Sequence, residues 1–273
     1  PGEYYALYSQ EQFNRRPKET KAEILRTALR EVVLQIKAMG YSREGDPLRF
    51  MDSPEKANWK AAKNQLRLIG ALDASDELKL SKFGEQLAEL GCDPRDGAMI
   101  LKGCEMGIGE DAIIAAAIHT SRRLTNRPKG KEAEVDGALA PFKVSSKSDL
   151  ANAVALYRDA ERNNFGYKWC RDHFVSPQAL QEVRKNVDDF SKRAKGLGFE
   201  TKNQVRSPEA LCHAALCGVP DKLFVRESGD WYRNAVTGER ARLAREAAVR
   251  GDFIAASDVI TVPSRRGPLL LIT

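Results

Sequence analysis

Seven consecutive residues, Ala112 to Ile118, are apolar, and wound into a helix they leave no face for water. A helix that is hydrophobic all round is stable only when other elements surround it, so the chain must supply a bundle. The run is far shorter than the ~18–20 residues that cross a bilayer. The flanking sequence meets the demand: from Gly84 to about Gly198 the apolar spacing is helical. Asp93-Pro94-Arg95, Ser148-Asp149 and Ser176-Pro177 are start signals, each a capping side chain followed by proline or acid. The last of these opens a long helix through about Lys195, and Ser207-Pro208-Glu209 opens another that ends near Gly218. Residues 122–147 interrupt the pattern and are expected to form a loop, with seven cations against three acids.

Two other patterns flank this bundle. Residues 22–39 place Leu25, Ala28, Leu29, Val32, Val33, Ile36 and Met39 on one helical stripe, with Gly40 set to end it. Ser53-Pro54-Glu55 predicts the N-cap and first turn of a second helix that closes at Gly70. Residues 71–80 then hold two short apolar runs about a polar turn, as in a small hairpin. Helices followed by a hairpin in so short a span point to a winged helix. Beyond Gly218 the period changes to strands at Leu223–Val225, Trp231–Arg233, Asp252–Ala256, Val259–Val262 and Leu269–Ile272. Short, closely spaced strands with Gly229-Asp230 and Thr237-Gly238 as turns predict a small barrel of the OB type.

A chain of 273 residues has room for two or three small domains. Five cysteines, an odd number spread over more than a hundred residues, fit a reducing cytoplasm better than a disulfide framework. No basic-then-apolar leader opens the sequence. It starts Pro1-Gly2-Glu3-Tyr4-Tyr5-Ala6-Leu7-Tyr8 and stops at Leu269-Leu270-Leu271-Ile272-Thr273, both strand-like, so we expect a piece of something longer. The net charge of +6 hints at a polyanionic partner, and the cation excess grows from +1 over residues 1–90 to +2 over 91–200 and +3 over 201–273.

Catalytic and metal-binding patterns are weak. There is no G-x-x-x-x-G-K-[ST] loop and no G-x-G-x-x-G after a strand. Cys212, His213 and Cys217 lack the paired spacing of a zinc site and read as helix packing. Cys170 and His173 are three apart on a helix, but no partner to orient them is visible, and Trp169 and Phe174 beside them speak for core packing. Asp188-Asp189 and Asp73 with Asp76 are solvated carboxylates. Basic groups are better candidates. Arg122, Arg123, Arg127 and Lys129 lie on the loop between helices, where a phosphate could meet the guanidinium forks. Ser264, Arg265 and Arg266 fall between two predicted strands, at a barrel tip of the kind that touches single strands. Lys185, Lys192, Arg193 and Lys195 ride the long helix, where a solubilising surface is the simpler account.

The order of motifs carries a resemblance. Ile24-Leu25-Arg26-Thr27, Val32 through Gly40, Phe50-Met51-Asp52-Ser53-Pro54, Gly70-Ala71-Leu72-Asp73, Leu80-Ser81-Lys82-Phe83-Gly84 and Leu90-Gly91-Cys92-Asp93-Pro94 resemble the C-terminal winged helix of bacterial-type DEAH-box ATP-dependent RNA helicases. Ser53 departs from the family's F-x-D-P-P. Arg127-Pro128, Ser148-Asp149-Leu150 and Trp169-Cys170 are similar to the family's helicase-associated, or ratchet, domain, and residues 207–273 more loosely to its OB-fold. The resemblance implies residues 1–21 as the tail of the second RecA-like motor domain, 22–83 as winged helix, 84–204 as helical ratchet and 205–273 as a truncated OB-like barrel. It also implies a wall of a single-stranded RNA channel, with Arg122, Arg123, Arg127, Lys129, Ser264, Arg265 and Arg266 as backbone contacts. ATP and Mg would serve motor domains upstream in the full-length protein. Walker A, the DEAH box and the arginine fingers are absent from these 273 residues, so no catalytic residue is assigned and no NTPase is expected of the piece alone. The substrate could be RNA or DNA. Two alternatives stay open: a platform for protein activators without nucleic-acid binding, and a free-standing winged-helix DNA binder using Lys56, Lys60, Lys63 and Arg67.

Overall fold

The structure is a computed structural model that describes residues 5–16, 22–25, 29–41, 50–76, 79–244, 247, 249–264 and 267–272. The helix α6, Gly109–Thr120, holds its Ala112–Ala117 stretch at 2% exposure or less. Around it pack α5 (Pro94–Glu105), α8 (Asp149–Arg162), α10 (Pro177–Gly196) and α11 (Pro208–Gly218). The sequence permits so close an approach at two glycines. A Cβ on Gly103 would lie 2.2 Å from the Cβ of Ala112, and one on Gly218 would lie 2.2 Å from the carbonyl oxygen of Arg95. The expected caps on these helices form, with Asp93, Ser148, Ser176 and Ser207 each accepting from a first-turn backbone N–H.

N-terminal to the bundle, α2 (Arg30–Ala38), α3 (Lys56–Leu68) and α4 (Lys82–Leu90) extend the same core, which runs without a break from Leu29 to Ala214. Leu72 and Leu80 pair antiparallel between α3 and α4, the base of the expected hairpin. Gly40, at φ +88°, sits just past the end of α2. The start of α2 differs from the expectation: Glu23–Leu25 is a separate 3-10 turn, and residues 26–28 lie outside the described ones. Ser53 does not cap α3 either. The helix starts only at Lys56, and Glu55, in extended backbone, stands at its N-cap without a side-chain bond.

Two further expectations are corrected. The strand expected at Pro1–Tyr8 is not seen over residues 5–8, and the short exposed helix α1 (Gln10–Asn14) follows, held by a reciprocal Ser9–Gln12 capping box. Within the expected loop 122–147 lies α7 (Glu132–Leu139) and a 3-10 turn at Ala140–Phe142. Its acidic first turn and buried Val135 favour a helix that the flanking Gly130 and Pro141 conceal in the sequence.

The remaining strands form one six-stranded sheet in the order β4-β1-β2-β3-β6-β5. They are β1 (Leu223–Ser228), β2 (Trp231–Asn234), β3 (Arg240–Leu243), β4 (Phe253–Ala255), β5 (Val259–Ser264) and β6 (Gly267–Ile272). All neighbours are antiparallel except β3 and β6. The expected barrel is not closed, because among the described residues the edges β4 and β5 do not pair. The sheet nonetheless curls. Laid flat, six strands would put the outer two ~24 Å apart, whereas the four steps from Ala255 to Val259 span at most ~14 Å. Phe224, Tyr232, Ala241, Leu243, Ile254, Ala256 and Ile272 fill the concave side as a second core. The architecture is thus mixed, a mainly helical body carrying a small curled sheet.

Gly218→Ala should lower stability by about 1–3 kcal/mol, because the new methyl meets backbone rather than a side chain that can turn away. Gly196→Ala is the control: nothing lies within 4 Å of its Cβ position, and urea unfolding should find it neutral or slightly stabilised.

Candidate nucleic-acid interface

The basic loop after α6 is held by backbone pairing. The Asn126 N–H donates to the Phe174 carbonyl at 2.8 Å, the Ser176 N–H donates to the Leu124 carbonyl at 2.9 Å, and Thr125 bridges Val175. Phe174 turns its carbonyl at φ +55°, a strained conformation for a bulky residue, so the loop's anchor is built at a cost that its surroundings offset. Buried Leu124 and Val175 lock the pair from beneath. On this base Arg122 is 82% exposed, with Glu182 at 3.6 Å, while Arg127 is drawn against Asp136 at 2.9 Å. Arg123 and Lys129 are exposed. The structure therefore divides the four: Arg122, Arg123 and Lys129 face solvent, and Arg127 spends its charge on α7.

Other expected positions fare differently. Arg265 and Arg266 lie outside the described residues, and Ser264 ends β5 opposite Gly267. Arg193 is structural, since its Nη1 donates 3.0 Å bonds to the carbonyls of Leu90 and Gly91 and so closes the end of α4. Cys170 is buried, and burial pushes its thiol up; His173 stacks on Trp169 at 4.4 Å and binds the Trp169 carbonyl through Nδ1. That pair is core packing. Among the described residues no three His, Cys, Asp or Glu side chains gather as a metal would require.

Sequence reasoning missed the polar seam that fastens the sheet to the helical body. Arg95 is 9% exposed, and its Nη2 donates to Asp221 at 3.2 Å. The next residue, Lys222, donates through Nζ to Asp258 at 2.6 Å and to the Ser257 carbonyl at 3.1 Å. Asn234 joins them by donating to the Asp221 carbonyl. At the N-cap of α5, Asp93 accepts both nitrogens of the Arg30 fork. Burial alone would push the Asp93 carboxyl up, but the Arg30 hydrogen bond and charge overcome it and hold it below the usual range. A cavity of about 190 Å³ lies beside this seam, walled by Met99, Leu150 and Ala215 on the helices and Leu243, Ile254 and Ile272 on the sheet. Arg95, Asp96, His119, Ser148, Asp149 and Ser257 are the polar part of its lining. No motif marks these residues; they meet because α5, α11 and the sheet pack.

No protein-family model matches the chain. It is 29% identical over 225 residues to the DExH-box ATP-dependent RNA helicase DExH3 of Arabidopsis thaliana, covering 80% of this chain and 19% of that protein. It is 28% identical over 193 residues to the pre-mRNA-splicing factor ATP-dependent RNA helicase prp22 of Schizosaccharomyces pombe, covering 68% of this chain and 16% of that protein. The chain is homologous to DExH/DEAH-box RNA helicases, and it spans less than a fifth of the length of these relatives. No helix among the described residues is long and apolar enough to cross a membrane.

The seam carries a pH dependence. His119 Nδ1 lies 2.8 Å from Asp96 Oδ1, and that hydrogen bond raises the imidazole above its ordinary value despite burial. A raised histidine stabilises the fold fully below its unfolded value of about 6.5 and loses that contribution as pH climbs through the folded value. Unfolding followed from pH 5.5 to 8.5 should therefore show a loss of stability that His119→Gln flattens.

Proposed function

We propose that this chain is an accessory region of an ATP-dependent DEAH-box RNA helicase and forms part of the wall of its single-stranded RNA channel. One observation carries the reading: the likeness to RNA helicases runs along 80% of this chain but only 19% of the relative, and the sequence contains no phosphate-binding loop. A piece with the relatives' similarity and without a nucleotide site fits an accessory role. In this reading residues 22–83 are a winged helix, with α2, α3, the Leu72–Leu80 pairing and α4 in support. Residues 84–204 are the ratchet, and residues 205–273 the OB-like unit. The sheet order supports the last assignment: β4 and β5 act as one strand broken by a short step, giving a partly open five-strand cycle with one parallel pair. ATP and Mg would be bound by motor domains outside this chain, to which residues 1–21 would lead. The backbone contacts would be Arg122, Arg123 and Lys129, with Arg127 braced by Asp136, and Ser264, Arg265 and Arg266 at the sheet tip.

Such a wall holds phosphates, not bases. Fluorescence anisotropy of a labelled oligouridylate should give weak, sequence-tolerant binding that falls with salt at a log–log slope of about −0.7 per phosphate neutralised. Arg122→Ala with Arg123→Ala should weaken binding severalfold and flatten the slope by about one phosphate. Tighter binding to a duplex would favour the winged-helix DNA reading. No binding at low salt, together with a protein retained after nuclease treatment, would favour the activator platform.

A further inference from the structure

The cavity between the helical body and the sheet has no part in the channel reading, and its chemistry is specific. Its volume is about 190 Å³. An apolar cavity of ~150 Å³ stays dry and admits a benzene ring, so this one has room for a ring with a substituent. The apolar walls come from three helices and three strands: Met99 of α5, Leu150 of α8 and Ala215 of α11 face Leu243 of β3, Ile254 of β4 and Ile272 of β6. Asp149 is exposed and Cys212 half-buried, so the cavity reaches solvent on the side where α8 and α11 line it.

Most polar groups on the lining are already engaged. Arg95 is committed to Asp221, the Ser148 hydroxyl caps α8, and Asp149 and Ser257 have partners of their own. Asp96, 5% exposed, uses both carboxylate oxygens: Oδ1 lies 2.8 Å from His119 Nδ1, and Oδ2 accepts from the Thr120 hydroxyl at 3.1 Å. A carboxylate on Nδ1 fixes the ring proton there. His119 Nε2 is the atom left over, without a hydrogen bond to any described residue. It donates when the ring is charged and accepts when the ring is neutral. A hydroxyl, which does both, matches it in either state, whereas a carboxylate or an ammonium matches only one.

We propose that this cavity is a binding site for a small aromatic alcohol, with the ring among the aliphatic side chains and the hydroxyl on His119 Nε2. Such a ligand touches the helices and the sheet at once and fills the gap in their joint. Because the cavity exists only when the two are packed together, the ligand binds the folded chain alone and raises its resistance to unfolding. The site is independent of the single-strand reading and stands if that reading fails.

The test uses the 273-residue chain with 4-fluorophenol and 4-fluorotoluene, which differ by a hydroxyl for a methyl, followed by fluorine NMR line broadening. In a cavity without a polar partner the hydroxyl weakens binding and the toluene wins. Here the phenol should bind at least as tightly and raise the melting temperature. His119→Leu should weaken the phenol about tenfold and leave the toluene unchanged, reversing their order. Ala215→Leu, which fills the cavity from α11, should abolish binding of both. Bound phenol should also slow the alkylation of Cys212 by iodoacetamide, with the exposed Cys217 as internal reference. If His119→Leu does not fold, this protection and the order of the two ligands on the parent chain decide the matter. Binding of the toluene but not the phenol makes the cavity a plain apolar void and overturns the proposal, as does binding of neither. Tighter binding of 4-fluorobenzoate assigns an anion site beside Arg95 instead. Phenol binding that Ala215→Leu leaves intact and Cys212 does not sense lies elsewhere on the chain, and the assignment falls.

Discussion

Burial of α6 is the constraint on which the rest depends. A helix with alanine and isoleucine on every face is stable only inside, so α5, α8, α10 and α11 have to approach it on all sides. Small residues set how closely they come, as the Gly103–Ala112 crossing shows. That closeness fixes where α6 ends, and the basic loop begins at its last turn. Ser121 ties this point to α10, accepting from Asn186 at 3.1 Å while donating to the Ala117 carbonyl. The position of Arg122 and Arg123 is in that sense a consequence of packing several residues away.

The helical body and the sheet have separate apolar cores, and ionic contacts join them. Arg95 and Lys222 are both partly desolvated, and burial lowers each of their pKa values, so their carboxylate partners have to stay close. Directional contacts of this sort fix orientation more than they add cohesion. An apolar cavity beside them leaves the same junction incompletely filled. The combination describes a joint that is accurately set but not tightly packed.

Much of the helical body is legible in the sequence because it is written in local signals. Asp93-Pro94, Ser148-Asp149, Ser176-Pro177 and Ser207-Pro208 each name their helix start through hydrogen bonds that reach two or three residues along the chain. What stays hidden depends on distant partners. Strand β3 reads Arg240-Ala241-Arg242-Leu243, too polar and short to announce itself, and becomes a strand because β2 and β6 flank it. The helix α7 is masked by its neighbours Gly130 and Pro141. The candidate site divides the same way. Arg122 and Arg123 are visible as a doublet, whereas the Arg95–Asp221 contact joins residues 126 positions apart and leaves no local trace. Arg193 shows the opposite hazard, a cation that looks free in a charged helix yet closes the end of another.

The three residues from Ala256 to Ser257 to Asp258, which tie one border of the sheet to the other, also bear on how the protein behaves among its own copies. Unpaired strand borders recruit strands from other molecules, the first step toward fibres. Here the tether turns the two borders toward each other, one of them is only three residues long, and the other carries Pro263, which has no N–H to offer. An incoming strand finds a narrow slot and an interrupted ladder instead of an open template, so the sheet can stay unclosed without inviting aggregation.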